Sequence, residues 1–271
     1  MQDKPDGSSQ VLKPEYEFVP YKFGCFSWSA NADLTVMSGS CLVKENKTHF
    51  IKSDQTDYIA ELNATDRKRM LQLKEQYGNM SNKALIKYTY LNYAYFAINS
   101  EISKDLLSAE EWSSIIAHKP QHTDTALFTI GYEGLSLEAY MNRLLLNDVK
   151  ALADVRSNPV SMKYGFSKSA LKRSCESLDI LYYHFPEVGI PSDKRREYDG
   201  KDRTDGLFAY YRNEILPASR NDINEIFQLL KKHKRIALTC FESDVNTCHR
   251  KYLAEAIKSF PEFQYEIKHI C

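Results

Sequence analysis

From about residue 126 the chain alternates short apolar runs with amphipathic segments, and that rhythm admits few folds. Leu127-Phe128-Thr129-Ile130-Gly131 reads as a buried strand ending in Gly. Val149 to Val155 is a second strand, Ile180 to Phe185 a third stopped by Pro186, and Ile236 to Thr239 a fourth. Ser136 caps a helical pattern carrying Leu137, Tyr140, Met141, Leu144 and Leu145, and Ser167 caps one carrying Leu171 and Leu178. Further helices are expected from about Phe208 to Leu216, from Asn221 to His233 and after Arg250. Strands this apolar have no wet face, and connections long enough to hold a helix join parallel neighbours. The expectation is an α/β domain over residues 124–271 built on a mostly parallel, Rossmann-like sheet.

Residues 14–123 form a second, smaller domain of different character. The stretch Met1 to Lys13 reads as a disordered tail. An aromatic segment, Tyr16 to Gly24, follows, and Leu34 to Val36 belongs to a short helix. Cys41 to Val43 and Thr48 to Ile51 read as strands paired across a turn at Glu45-Asn46-Lys47. Asn63-Ala64-Thr65-Asp66 caps a helix with Met70, Leu71 and Leu73, and Ser81 caps the next, Asn82 to Tyr95. Two helices across a Gly-containing turn, with a hairpin nearby, outline a winged helix-turn-helix. The same elements also describe a small α/β domain used for packing or dimerisation. Residues 1–123 carry 14 Lys+Arg against 15 Asp+Glu, whereas duplex binding needs a basic face. Lys83 and Lys87, one turn apart, are the phosphate candidates on the second helix.

A formal net charge of zero gives no global electrostatic case for nucleic acid or an anionic membrane. No apolar run approaches the roughly 18 residues of a membrane span, and Met1 to Ser9 lacks a secretory apolar core. Six cysteines, irregularly spaced, do not make a disulfide scaffold. The expected location is the cytoplasm, with reduced thiols.

Chemistry concentrates where strands end. Ile236 to Thr239 feeds into Cys240 and Glu242, a polar loop follows, and Cys248-His249-Arg250 stand just before a helix. Parallel strands deliver their carboxyl ends to one edge, which is where open α/β sheets bind ligands. Asp154 and Arg156 alternate around Val155 and so share a face, either as an acid and anion-binding cation or as a structural ion pair. Arg250, in the first helical turn, either cradles an anion with the helix N–H groups or pairs with Glu242 or Asp154. Cys240 is either a nucleophile at a helix N-terminus or a buried inert thiol. His184 and Glu242 are the acid–base candidates, with a core histidine as the alternative for His184. Catalytic roles are therefore expected of Glu242, Asp154, His184 and Cys240, and substrate binding of Arg156, Arg250, Ser157 and Tyr132. Cys240, Cys248, His249 and His184 offer zinc-ligand atoms, but adjacent Cys248 and His249 rarely share one ion and no Cys-x-x-Cys occurs. No metal is assigned on this basis, and no cofactor is identified. The charged loop Pro191 to Asp205, with Lys194-Arg195-Arg196, reads as a flap or as a solvated loop.

Four motifs carry a resemblance: Thr129-Ile130-Gly131-Tyr132; Asp154-Val155-Arg156-Ser157 with Pro159 and Ser161; His184 with Pro186-Glu187-Val188-Gly189; and Cys240-Phe241-Glu242 with Cys248-His249-Arg250. Over residues 126–260 the chain resembles the bacterial "domain of unknown function 488" family, which implies the fold and little chemistry. Phe18-Val19-Pro20-Tyr21-Lys22-Phe23-Gly24 resembles winged-helix segments of bacterial regulatory proteins, with Cys25 where that pattern has Pro. The functional expectation is an enzyme acting on a nucleotide or nucleic-acid-related anion in the strand-end crevice. The alternative is a non-catalytic regulator that binds DNA or senses a small anionic ligand.

Overall fold

Residues 15–46, 49–198 and 205–270 are described by the computed structural model. The tail Met1 to Lys13, residues 47 and 48 of the expected hairpin, and residues 199–204 of the expected flap lie outside them. In chain order the strands are β1 (Val19–Tyr21), β2 (Gly24–Phe26), β3 (Val43–Glu45), β4 (Phe50–Lys52), β5 (Ala126–Gly131), β6 (Ala151–Asp154), β7 (Leu181–His184), β8 (Arg235–Cys240) and β9 (Glu266–Ile270). Among the described residues two units separate, one holding residues 15–18 and Ser27–Asn79, the other Val19–Phe26 and residues 80–270.

In the first unit the Ser27 hydroxyl accepts from the Ala30 amide, so the helix there runs Trp28–Gly39, well beyond the expected Leu34 to Val36. β3 and β4 pair antiparallel with Val43 opposite Lys52, one to two residues later than the sequence pattern places them. Asn63 caps the helix Ala64–Tyr77 by accepting from Asp66, as its position predicts. The following helix, Asn82–Asn92, capped by Ser81, belongs to the other unit. Hairpin and both helices therefore exist, but the winged-helix arrangement is not shown by them.

In the second unit β5 to β9 form one all-parallel sheet in the order β7–β6–β8–β5–β9. Every residue of β5, β6 and β8 is buried, which explains their unbroken apolar runs. One sheet face carries Leu127, Ala151, Ala153, Ile236, Leu238 and Cys240 under the helices Arg220–His233 and Arg250–Lys258. Those helices contribute Ile226, Phe227, Leu230, Leu253 and Ile257, each fully buried and each worth roughly 1.5–3 kcal/mol of transfer free energy. The opposite face carries Thr239, whose hydroxyl accepts from Tyr140 of the helix Leu137–Leu146 at 2.8 Å. Phe166 packs edge-on to the same tyrosine. The Ser136 cap on that helix is present as expected, while the Ser167 hydroxyl donates to the Ser161 carbonyl instead of capping its helix, Lys168–Glu176.

Registers fix where the strands end. Gly131 is level with Cys240, and Asp154 is level with both Thr239 and His184. β9 is an element the sequence pattern did not reveal, because Glu266-Ile267-Lys268-His269-Ile270 alternates polar and apolar residues without a continuous apolar run. The expected helix near Phe208 is three pieces: Asp205–Tyr210, a π-helical turn Tyr211–Ile215, and Leu216–Ala218. Pro217 accounts for the widened turn, since in a regular helix its ring would strike the carbonyl four residues back, at Asn213. No helix among the described residues is long and apolar enough to cross a membrane.

Candidate functional site

β5 and β8 are neighbours, yet the chain leaves them to opposite faces of the sheet. After β5 it enters the helix Leu137–Leu146 on the Thr239 face; after β8 it enters Arg250–Lys258 on the Cys240 face. Such a divergence opens a crevice at the strands' carboxyl ends. Its two walls are stitched together: the Tyr132 and Glu133 amides both donate to the Phe241 carbonyl, and the Ser243 amide and hydroxyl donate to the Glu133 carboxylate at 3.0 and 3.1 Å. Gly131 is required there, because a Cβ would lie 1.8 Å from the Glu242 carbonyl oxygen.

On the Cys240 face a buried group of donors assembles. Cys240, Cys248 and His249 are each no more than 2% exposed, and their Sγ, Sγ and Nδ1 atoms lie within 4.8 Å of one another. His249 Nδ1 is 3.8 Å from Cys240 Sγ and 3.9 Å from Cys248 Sγ. Its Nε2 donates to the Val155 carbonyl at 3.1 Å, which places the proton on Nε2 and leaves the Nδ1 lone pair facing the sulfurs. Tyr211, turned inward by the π-helical segment, sets its ring edge-on to His249 at 5.2 Å between centroids and donates its hydroxyl to the Val188 carbonyl.

Glu242 Oε2 is 3.0 Å from Cys240 Sγ, so one proton lies between them. The Cys240 thiol is held well below its ordinary value, chiefly by a hydrogen bond from Cys248, whereas burial pushes Cys248 up. Burial, then the Cys240 charge, raises the Glu242 carboxyl.

Glu242 and His249 line a crevice of about 430 Å³, together with Glu133, Arg195, Phe208 and Phe241. A volume of that order suits a small ligand. Arg195 comes from the helix Ser192–Glu197, which occupies the start of the expected flap, and its Nη1 is 3.8 Å from Glu242 Oε1. With its side chain 32% exposed it is a cation at the crevice mouth. Sequence reasoning did not single it out; its only signal was the basic run Lys194-Arg195-Arg196. Arg195 and Phe241 also line a second cavity of about 290 Å³, shared with Tyr132, Arg156 and Cys240.

Residues 136–257 match the family model described as Domain of unknown function DUF488. The matched region is under half of the chain; it supports the likeness carried by the motifs from Asp154 onward and contains the whole Cys240, Glu242, Cys248 and His249 group. No curated protein and no solved structure matches the chain.

The other expected site residues serve supporting or separate networks. Asp154 is fully buried on the Thr239 face, gripped by Arg156 and accepting from the Tyr182 hydroxyl at 2.6 Å. Arg156 Nη1 also donates to the Tyr132 hydroxyl and the Phe166 carbonyl, both at 2.9 Å, so Tyr132 serves the same buried network. His184 accepts from Lys168 at Nδ1 and donates from Nε2 to the Arg156 carbonyl, two strands away from Cys240. Ser157 supplies backbone against Gly189, where a Cβ would lie 2.2 Å from the Ser157 nitrogen. Arg250 is buried and donates to the Glu242 carbonyl at 2.5 Å and to the Ser243 carbonyl at 2.9 Å. It anchors the site loop by its backbone and makes no ion pair with Glu242 or Asp154 among the described residues.

Proposed function

We propose that the strand-end crevice is the active site of an enzyme acting on an anionic, nucleotide or nucleic-acid-related substrate in a reducing, cytoplasmic compartment. The observation that carries this reading is the pairing of Glu242 with Arg195 at the crevice mouth. Arg195 is the cation to hold a phosphate or carboxylate, and Glu242 is the acid–base group beside the buried thiols. Phe241, 43% exposed at the crevice, offers an aromatic face on which a base can stack.

A panel of nucleotides and short single-stranded DNA and RNA, incubated with the full chain and analysed by mass spectrometry, tests the reading. Glu242→Gln should abolish turnover with the circular dichroism spectrum unchanged, and Arg195→Ala should raise KM by roughly tenfold through loss of one charged contact. Turnover that survives Glu242→Gln sinks the assignment.

The second reading is a non-catalytic regulator that senses an anion or binds DNA through a winged-helix front half. The neutralisation of Arg156 by Asp154 and the commitment of Arg250 to backbone carbonyls favour it. On the front side, Lys87 is already paired with Glu111 at 2.9 Å. Binding of a panel member without any product decides for this reading.

A further inference from the structure

We infer that Cys240 Sγ, Cys248 Sγ and His249 Nδ1 are the ligands of a zinc ion whose fourth coordination position opens toward the crevice beside Glu242. The inference goes beyond the crevice reading and does not depend on it.

Geometry carries the assignment. Zinc bonds of about 2.3 Å to sulfur and 2.0–2.1 Å to nitrogen, at tetrahedral angles, put sulfur and nitrogen about 3.6 Å apart and two sulfurs about 3.8 Å apart. The two S···N separations are 3.8 and 3.9 Å, and no pair of donor atoms exceeds 4.8 Å. Seating the ion therefore needs shifts of a few tenths of an ångström at nitrogen and at most about 1 Å between the sulfurs.

His249 supplies an independent mark. A ligating histidine donates its other ring N–H to a carbonyl or carboxylate, which fixes the tautomer and aims the lone pair. His249 makes that bond to Val155 O, and Tyr211 packs against its ring. The adjacency of Cys248 and His249, which argued against a shared ion from sequence alone, is overcome by the chain path. Cys248 is extended, at φ −129° and ψ 140°, and His249 is already helical, at φ −60° and ψ −23°. Both side chains consequently reach the same point beneath β8.

Thiolate and imidazole donors select zinc among the available divalent ions. Two thiolates cancel the ion's charge, and Arg195 stands 3.8 Å from Glu242 to balance the remaining carboxylate. Three protein ligands with a fourth position facing a crevice make the coordination of a catalytic zinc. A water in that position would lose one O–H bond, its proton passing to the Glu242 carboxylate and its electron pair staying on the zinc-bound oxygen as hydroxide.

The test is metal content by inductively coupled plasma mass spectrometry on full-length protein purified without chelator. About one zinc per chain is expected in the wild type and in Cys175→Ser, whose sulfur lies in the other face's core. Cys240→Ser, Cys248→Ser and His249→Ala should lose it. Should those variants fail to fold, wild-type protein stripped of metal and reloaded with cobalt(II) provides the second readout. A thiolate-to-cobalt charge-transfer band, together with protection of two thiols from labelling, supports the site. Folded wild-type protein that is purified without zinc, takes up neither zinc nor cobalt and shows no such band overturns it. Turnover by protein that takes up neither zinc nor cobalt sinks the zinc site while leaving the crevice reading intact; zinc bound without turnover or substrate binding does the reverse.

Discussion

Arg156 holds Asp154 through two parallel hydrogen bonds, Nε to Oδ1 at 2.8 Å and Nη2 to Oδ2 at 2.5 Å, with both side chains buried. A buried pair of this kind contributes little beyond an apolar replacement of both partners, but losing one partner strands the other's charge. Arg156→Ala should therefore destabilise the protein by about 3–5 kcal/mol in urea denaturation. A loss under 1 kcal/mol would mean that water or another cation reaches Asp154, contrary to its burial.

Gly131→Ala places a methyl group where the Glu242 carbonyl stands. Either β5 or the loop after β8 must move, at a cost of at least about 1–3 kcal/mol. The expected outcome is a lowered Tm and, in the folded fraction, faster labelling of Cys240. Unchanged Tm and labelling would show that the loop does not rest on the strand.

Tyr211 is a support for His249 and can be tested in two steps. Tyr211→Phe removes one hydrogen bond to Val188 O and should cost about 1 kcal/mol. Tyr211→Ala also removes the ring and should cost about 3–5 kcal/mol. Equal losses in thermal or chemical denaturation would contradict a packing role for the ring.

Thiol reactivity gives a check that needs no substrate. Cys41 and Cys25 are exposed, while Cys175 is fully buried and pushed up by desolvation. Native-state labelling should modify Cys41 and Cys25 and spare Cys175 until unfolding. Partial desolvation by the residues packed beside it raises the Cys25 thiol, so its folded form is less often thiolate at neutral pH. Its labelling rate should still be climbing as pH passes the ordinary thiol range; a plateau below that range would refute the shift.

Three of the four expected strands, β5, β6 and β8, were legible because burial on both sheet faces leaves continuous apolar runs, and the half-exposed border strand β7 was legible from its aromatic run stopped by Pro186. β9 escaped, since an edge strand with Glu266 and Lys268 outward carries no such run. Cys240 and Glu242 were legible as a site from their position at a strand end. What no periodicity could supply was register: Asp154 sits opposite Thr239, not Cys240, and that single step sends Asp154 to the other face. Arg195 was hidden for another reason. A basic run in a loop looks the same whether it is solvated or folded back as the helix Ser192–Glu197.

β8 lies at the middle of the five strands, hydrogen-bonded on both sides. Sheets fray from their borders, so β7 and β9 can open transiently while β8 stays paired. Cys240 ends that central strand, and His249 is tied by Val155 O to the end of β6 beside it. Hydrogen exchange near the thiols is thereby tied to whole-domain opening, and the donor group should persist, correctly aimed, through every partial excursion short of it.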